Sequence, residues 1–322
     1  VLIEGLVVVP RVFFERELKV TRLVGPEIGR GFILAVTSIS LAWHGFGVWS
    51  FVIGELVAAL FYMLILWRRA WGHMPIEWRL GPIPSLLRQS FLLFVIALLA
   101  NSTPCVGRYI VEAVDSTYMV GQFEKAFLWA LRAQVLMVPA LVRAIYPALV
   151  KFIDDRVRFV GAFRLATVAI LTGEVLVAYF LYFNAEIVLL KILLGENWQE
   201  AVHLLKILCF LPLVDPFNRL GGEMLKAYRE DRIWLAIVVV NIVSLIGFGW
   251  FLAHRLGVDG MAWAHYLMLG HFLMAWRVYR ICGREFWHLV AELLFVYALP
   301  LPFFLAINHF LPPASWSRFF VS

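Results

Sequence analysis

Residues 233–253 read IWLAIVVVNIVSLIGFGWFLA and contain 21 consecutive residues without a charged side chain. Lys226, Arg229 and Arg232 precede this stretch, and Arg255 follows it. A helix of about 20 apolar residues is long enough to cross the roughly 30 Å hydrocarbon core of a bilayer. The whole chain is 62% hydrophobic with a mean hydropathy of +0.84, whereas soluble domains are roughly 45–50% apolar. The sequence therefore predicts a membrane protein.

Working outward from this stretch, the same pattern recurs along the chain and predicts an all-α, polytopic protein with about nine complete spans and one partial span. The spans are expected at residues 26–44, 47–67, 86–112, 118–148, 160–183, 201–222, 233–253, 261–277 and 286–310. Residues 1–9 would end the partial span, and residues 10–24 would form a basic amphipathic connection on the membrane surface, beginning at Pro10. Because Val1 lies within an apolar run, we expect that the chain is N-terminally truncated and lacks earlier spans.

Positive charge alternates along the chain. Of the 28 Lys and Arg residues, 18 fall in every second gap between the apolar runs, three fall in the other gaps and seven lie within the runs. Cytoplasmic loops carry an excess of Lys and Arg, so residues 68–88, 151–164 and 226–232 should face the cytoplasm, and residues 184–200 and 254–260 the outside. Basic loops beside anionic lipids also account for the net charge of +6, without nucleic-acid binding.

Three prolines between residues 70 and 85 mark the single internal boundary that the sequence suggests. We expect the end of an N-terminal lobe at 1–69, a cytoplasmic linker at 70–85 and a C-terminal lobe at 86–322. No loop is long enough to hold a soluble catalytic domain, which needs about 50 residues or more, so the chain is not expected to be an enzyme. The three cysteines and the histidines are scattered, which predicts no disulfide framework, metal site or cofactor.

Four short motifs follow one another along the chain. They are PRVFFERELK at residues 10–19, GFGVWS at 45–50 followed by Gly54, Val138-Pro139 continuing through YPAL at 146–149 to Asp154-Asp155, and LLGENW at 193–198. Together they resemble motifs of the polysaccharide-exporter branch of the multidrug/oligosaccharidyl-lipid/polysaccharide flippase superfamily, in the same order. Gly107 departs from the pattern, because many relatives carry an acid before the Arg-Tyr pair.

This resemblance implies two helical lobes around a central cavity and the transport of a lipid-linked oligosaccharide, of the undecaprenyl-pyrophosphate type, by alternating access. It places the protein in the bacterial inner membrane, where surface polysaccharides such as O-antigen, lipopolysaccharide or exopolysaccharide are made. Membrane lipids, a polysaccharide polymerase and glycosyltransferases would be its partners.

Cations within the spans are the candidate substrate-binding residues. Lys125, Arg132 and Arg143 would share one face of a single helix at about 100° per residue. A cation in hydrocarbon costs at least about 2.5 kcal/mol, so this face needs water, protein or an anion, and a pyrophosphate suits the planar guanidinium fork. Arg108 on the preceding span is the fourth candidate. Internal pairing is the alternative, above all between Arg108 and Glu112 at a spacing of four residues.

Acidic residues within the spans are the candidates for ion coupling, namely Asp215, Glu55 and Glu174. Asp215, Arg219 and Glu223 follow at spacings of four residues, so an internal ion pair is the competing interpretation for Asp215.

Two other functions remain open from the sequence alone. A multidrug-extrusion-type, cation-coupled antiporter would bind cationic drugs and should favour carboxylates in its cavity, whereas the most regular candidate face here is cationic. A membrane enzyme of polysaccharide polymerisation would need a large outside loop or a cluster of acid and base residues, and the sequence shows neither.

Overall fold

The computed structural model describes residues 2–16, 21–72, 83–214 and 216–310. Within these residues there are fifteen α-helices and no β-strand, so the predicted all-α class is confirmed. The chain divides into two compact units at residues 83 and 84, called unit 1 and unit 2 below. Most of the predicted 70–85 linker lies outside the described residues, and the assignment of the units to transporter lobes stays a prediction.

Unit 1 consists of helices α1 (Leu2–Arg16), α2 (Thr21–Trp43) and α3 (Trp49–Ala70). Gly45 and Gly47 form the turn between α2 and α3 with φ angles of 83° and 52°. Both angles lie in the left-handed region that only glycine adopts without strain. The glycines of the GFGVWS motif therefore reverse the chain between two antiparallel helices.

The prediction that Pro10 ends a span and begins a surface connection is wrong. Helix α1 continues through Pro10 to Arg16. Proline lacks the N–H that would bond the carbonyl of residue 6 one turn earlier, and here the indole Nε1 of Trp67 donates to the Leu6 carbonyl oxygen at 3.0 Å. A side chain from α3 thus replaces the missing backbone donor, and the helix passes the proline.

Helix α2 shows the same arrangement at its first turns. It begins at Thr21 rather than at residue 26, with Pro26 inside it. The carbonyl that this proline releases belongs to Arg22, and Nη1 of Arg69 donates to it at 2.6 Å. Both released carbonyls in unit 1 are therefore bonded by side chains near the end of α3.

Unit 2 contains the remaining twelve α-helices. They are α4 (Ile83–Val114), α5 (Thr117–Ala130), α6 (Arg132–Lys151), α7 (Arg156–Glu186), α8 (Gln199–Leu208), α9 (Leu211–Val214), α10 (Asn218–Ala227), α11 (Asp231–Leu256), α12 (Val258–Ala264), α13 (Gly270–Cys282), α14 (Glu285–Ala298) and α15 (Pro300–Phe310). Their buried side chains form two apolar clusters. The Phe123 cluster includes Leu204, Leu205 and Met261, and the Phe163 cluster includes Leu220, Met274 and Val278.

Five helical segments of the described chain are long and apolar enough to cross a membrane. They are Trp49–Ala70, Ser90–Val114, Arg156–Leu193, Asp231–Leu256 and Glu285–Ile307. The protein is a multi-pass membrane protein, and the stretch at residues 233–253 lies inside one of these segments. The number of nine complete spans stays a prediction.

Two predicted spans are interrupted rather than continuous. The helix expected at residues 118–148 breaks at Leu131, whose φ of −91° and ψ of 4° separate α5 from α6. The span expected at 201–222 consists of the short helices α8, α9 and α10 instead, with Pro212 and Pro216 at the breaks. Broken helices at membrane depth occur where the irregular backbone is buried in protein or lines a cavity.

Candidate functional site

A cavity of about 670 Å³ lies inside unit 2, between the two apolar clusters. Phe127 and Leu211 line it and pack against the Phe123 cluster, while Val138, Val142 and Trp234 line it and pack against the Phe163 cluster. One carboxylate, that of Glu223, belongs to its wall. The other polar side chains there are those of Asn101, Thr103, Gln134, Asn218, Asn241, His265 and His271. Its volume falls in the roughly 300–1,000 Å³ range of sites for small molecules.

Two of the cavity-lining residues each have an acceptor atom that is itself buried and does not face the cavity. Asn241 is 6% exposed and His265 is 2% exposed, and neither Asn241 Oδ1 nor His265 Nε2 has a hydrogen-bond partner among the described residues. His265 Nδ1 lies 2.9 Å from the Met261 carbonyl oxygen. A carbonyl can only accept, so Nδ1 carries the proton and Nε2 of the neutral ring is an acceptor.

Two prolines and the residues four positions before them line the same cavity. Pro104 in α4 and Pro139 in α6 line the cavity, and so do Ala100 and Val135. Each proline lacks the N–H that would bond the carbonyl four residues before it, which is that of Ala100 or Val135. Among the described side chains, none donates to either carbonyl.

The side chain of Asn101, another cavity-lining residue, bonds its own helix. Its Nδ2 donates to the Ala97 carbonyl oxygen at 2.8 Å, a local bond that Asn side chains commonly make one turn back along a helix. One of the two amide N–H groups is thereby engaged, while the second N–H is still a donor and Oδ1 is an acceptor.

The carboxylate of the cavity wall is already compensated. Glu223 Oε1 accepts from Lys226 Nζ at 2.7 Å, and the same ammonium lies 4.8 Å from the centre of the Trp234 ring. Glu223 and Lys226 are three residues apart on α10. Asp215 and the side chain of Arg219 lie outside the described structure, so the stripe of Asp215, Arg219 and Glu223 stays a prediction.

Arg108 is paired with a different acid from the one expected. Its Nε donates to Glu124 Oε1 at 2.5 Å, so the expected pair with Glu112 is wrong. Glu124 belongs to α5, and the bond shows that the polar faces of α4 and α5 meet. Because α4 and α5 pack side by side, Arg108 pairs with Glu124 on the neighbouring helix rather than with Glu112 on its own helix.

Lys125 lies near the LLGENW motif. Its Nζ is 5.8 Å from the centre of the Trp198 ring. On the same helix, Gln122 Nε2 donates to the Asn197 carbonyl oxygen at 2.9 Å, and Gln122 Oε1 accepts from the Ala201 backbone N–H at 3.0 Å. This motif thus fixes the start of α8 against α5, and Lys125 does not line the cavity.

Arg132 is the first residue of α6, directly after the break at Leu131. It is exposed, and its guanidinium lies 5.6 Å from the centre of the Trp129 ring. Within the described part of the chain it pairs with no carboxylate. Leu131 and Gln134 line the cavity, but Arg132 itself does not. Leu131 separates the helix of Lys125 from that of Arg132, and the side chain of Arg143 is outside the described structure. The face that these three cations were expected to share stays a prediction.

The other two ion-coupling candidates are Glu55, which pairs with an arginine, and Glu174, which is buried. Glu55 in α3 accepts a hydrogen bond from Arg30, which also bonds Glu4 at 2.8 Å. Arg30 lies over the Tyr62 ring as well. Glu174 is 2% exposed within α7. Their role in coupling stays a prediction.

Sequence reasoning missed the cavity side chains. Asn241 and Ser244 are the only two residues within 235–249 whose side chains can form hydrogen bonds, so Asn241 was a visible signal in a long apolar stretch of the chain. His265 and His271 are visible too, but their sequence positions do not reveal that they share a wall with Asn101 and Asn241.

Comparison with known proteins identifies a family for the sequence and a similar fold for the structure. A family model described as a polysaccharide biosynthesis protein matches residues 1–203. No curated protein matches the chain in sequence. The fold is similar to that of the lipid II flippase MurJ in an inward closed conformation, with a TM-score of 0.60 and 14% identity over 88% of this chain and 67% of MurJ. The chain therefore belongs to the polysaccharide biosynthesis protein family, and its fold is of the flippase type that its motifs resemble.

Proposed function

We propose that the protein containing this chain flips a lipid-linked oligosaccharide, of the undecaprenyl-pyrophosphate type, across the bacterial inner membrane by alternating access. It would act as a transporter in surface polysaccharide biosynthesis, receiving its cargo from glycosyltransferases and delivering it to a polymerase. The family and the fold support this class of function. The observation that carries the anionic cargo is the position and environment of Arg132.

In the proposed transporter, Arg132 would lie near the middle of the span predicted at residues 118–148, 14 residues after its start and 16 before its end. An Arg side chain reaches only about 6–7 Å toward an interface. An exposed cation at this depth without a carboxylate partner among the described residues is costly, and a phosphate group of the cargo would compensate it.

The carboxylates of the described chain argue against a cationic drug as cargo. A drug pump needs acids that are free to bind a cation, whereas Arg30 holds Glu55 and Lys226 holds Glu223. The exposed and uncompensated charge in the middle of a predicted span is positive. Complementarity of charge therefore favours an anionic ligand.

Replacement of Arg132 in the full-length protein tests this proposal. Arg132→Ala should lower the transport of lipid-linked oligosaccharide at least about tenfold, the equivalent of one charge-assisted hydrogen bond. Arg132→Lys should restore transport only in part, because an ammonium cannot bond two phosphate oxygens through a planar fork. Transport would be measured in reconstituted vesicles and by complementation of a flippase-null strain.

Arg255 provides the matched control. Its guanidinium lies 4.7 Å from the centre of the Phe251 ring, so it makes the same type of aromatic contact as Arg132, but it is at the end of α11. Arg255→Ala should transport normally. Normal transport by Arg132→Ala at normal expression would contradict the proposed role of Arg132.

A further inference from the structure

A second cavity of unit 2 is an open groove of about 730 Å³ between α7 and α14. Both helices belong to segments that are long and apolar enough to cross a membrane. Six of the eight residues that line the groove are apolar, and two of these, Leu165 and Phe295, are 73% and 64% exposed. The other two, Arg164 and Glu292, are charged. In a bilayer, the groove therefore opens toward lipid and contains an ion pair.

Helices α7 and α14 run side by side in the same direction. Near their starts, Nε of Arg156 donates to the carbonyl oxygen of Ile281 at 3.1 Å. Further along, the hydroxyl of Tyr179 donates to the carbonyl oxygen of Tyr297, also at 3.1 Å. Both helices follow basic loops that are predicted to face the cytoplasm. The start of the groove is therefore expected at the cytoplasmic side of the bilayer.

The groove has a charged end and an apolar end. Arg164 and Glu292 lie eight and seven residues after the first residues of their helices, which corresponds to roughly 10–12 Å of helix at 1.5 Å per residue. Val168 and Val296 lie four residues further along each helix. This order, with charge toward the membrane surface and apolar side chains toward the bilayer centre, is the order of groups in a phospholipid.

The charged end carries a surplus of negative charge. Arg164 donates to both carboxylate oxygens of Glu292, from Nε at 2.7 Å and from Nη2. Glu285 Oε2 lies 3.7 Å from Nη1 of the same guanidinium, which is too long for a hydrogen bond. In the described part of the chain, neither carboxylate pairs with a second cation. One guanidinium thus faces two carboxylates, and its Nη1 donors are not used by Glu292.

The headgroup of a lipid has to provide the selectivity at this groove. Lipid chains are as apolar as the side chains that they contact, so chain packing alone does not distinguish lipids with identical chains. An ethanolamine headgroup combines a phosphate, which can accept from Nη1 of Arg164, with a primary ammonium, which can donate to Glu285. A choline headgroup has no N–H donor. A glycerol headgroup has no cation, so its phosphate would add to the negative surplus.

We propose that the groove between α7 and α14 binds one phospholipid with an ethanolamine headgroup. An acyl chain lies along Leu165, Val168 and Phe295, and the headgroup bridges Arg164 and Glu285. Glu292 holds the guanidinium of Arg164 in position. The site lies apart from the cavity of about 670 Å³, and it does not depend on which cargo the protein transports.

Native mass spectrometry of the detergent-purified, full-length protein tests the proposal. The protein is titrated with dioleoyl lipids that carry ethanolamine, choline or glycerol headgroups. The first ethanolamine lipid should bind about three- to tenfold more tightly than either of the others, the equivalent of one hydrogen bond. Equal affinities would overturn the proposal. A preference for the glycerol lipid would also overturn it, because the basic loops would then dominate lipid binding.

Glu285→Gln tests the headgroup contact. It removes the negative charge at nearly unchanged size, so the preference for ethanolamine should be lost while the affinity for the choline lipid stays the same. Glu196→Gln is the matched control, because Glu196 is also an exposed carboxylate paired with one cation, Lys191, but lies beyond the other end of α7. A preference that survives Glu285→Gln would refute the assignment of the headgroup.

Gly161→Leu tests the position of the lipid. A Cβ atom at Gly161 would meet no atom within 4 Å, so a leucine fits without displacing the protein and fills part of the groove. The affinity for the first ethanolamine lipid should fall at least about threefold. Gly247→Leu is the control, since Gly247 on α11 is equally open but does not line the groove.

The same spectra report the oligomeric state and so test a different occupant of the groove. Lipid binding by Gly161→Leu at the level of the wild type would show that the lipid lies elsewhere and would overturn the proposal. A dimer that is present in the wild type and lost in Gly161→Leu, with lipid binding unchanged, would instead assign the groove to a second copy of the chain.

Discussion

Units 1 and 2 both carry prolines inside long helices, but the carbonyls that these prolines release have different partners. In unit 1, Trp67 bonds the carbonyl released by Pro10 and Arg69 bonds that released by Pro26. In unit 2, Pro104 and Pro139 line a cavity, and so do Ala100 and Val135, the residues whose carbonyls they release. The prolines of unit 1 are therefore compensated by side chains of a neighbouring helix, whereas those of unit 2 belong to a cavity wall.

The difference shows two ways in which a membrane helix can contain a proline. A backbone carbonyl without a partner in hydrocarbon costs several kcal/mol, so a helix-interior proline survives only if a side chain, a cavity or a ligand satisfies the freed group. Trp67 and Arg69 belong to one helix and satisfy two others. Among the described side chains of unit 2, none donates to the carbonyls of Ala100 and Val135, which are cavity-lining residues.

Pro104→Ala should have the largest effect, because it gives the Ala100 carbonyl a backbone donor at a helix position that lines the cavity. We expect a gain of up to about 3 kcal/mol in the free energy of unfolding, since Ala is favoured over Pro in a helix interior by this amount. Transport should fall because the cavity wall changes. Thermal unfolding of the purified protein and the vesicle assay measure the two effects.

Pro10→Ala is the comparison variant in unit 1. The Leu6 carbonyl already accepts a hydrogen bond from Trp67, so the gain in stability should be only about 1 kcal/mol, one net hydrogen bond. Transport should not change. Equal gains in stability for Pro10→Ala and Pro104→Ala would show that the two released carbonyls are equally well satisfied, and the contrast between the units would be lost.

Trp67→Phe should have an intermediate effect. It keeps the aromatic ring but removes the indole N–H, which leaves the Leu6 carbonyl without its donor at a cost of about 1–3 kcal/mol. Adding Pro10→Ala should recover most of this loss, because the N–H at position 10 then bonds the same carbonyl.

The two variants and their combination form a double-mutant cycle, read out as the midpoint of thermal unfolding in detergent. Trp43→Phe serves as the control, because Trp43 is 88% exposed at the end of α2. Additive losses in the cycle would show that Trp67 stabilises unit 1 through packing alone.

Arg69→Met should have the smallest effect. It removes the donor to the Arg22 carbonyl oxygen, but Arg69 is exposed in the last turn of α3, where water can replace the bond. We expect a loss below about 1 kcal/mol, yet a larger loss than for the neighbouring variant Arg68→Met. A loss of stability larger than that of Trp67→Phe would contradict the expectation that water replaces the hydrogen bond of the exposed Arg69 side chain.

The fold could be predicted further than the site. The all-α class and the membrane character follow from the apolar runs, and the contact between the polar faces of α4 and α5 follows from their adjacency. The paired partner of Arg108 could not be predicted, because Glu112 and Glu124 are both plausible by position and only helix packing selects Glu124.

Continuity of the helices was the main failure of prediction. Residues 118–148 and 201–222 have the apolar character of single spans, but α5 and α6 separate at Leu131, and three short helices replace the second span. At Pro10 the sequence predicted a helix end, but α1 continues through it. A proline inside a helix is tolerated when a neighbouring side chain supplies the missing donor.

The sequence by itself determined that this is a helical, multi-pass membrane protein of the polysaccharide biosynthesis family, because hydrophobicity and motifs are local and sum along the chain. Only the tertiary structure decided which polar groups are satisfied. Trp67 lies 61 residues from Leu6, and Asn101, Gln134, Asn241 and His265 come from four separate segments to line one cavity. Hydrogen bonding depends on distance in space, and the packing of the helices sets that distance.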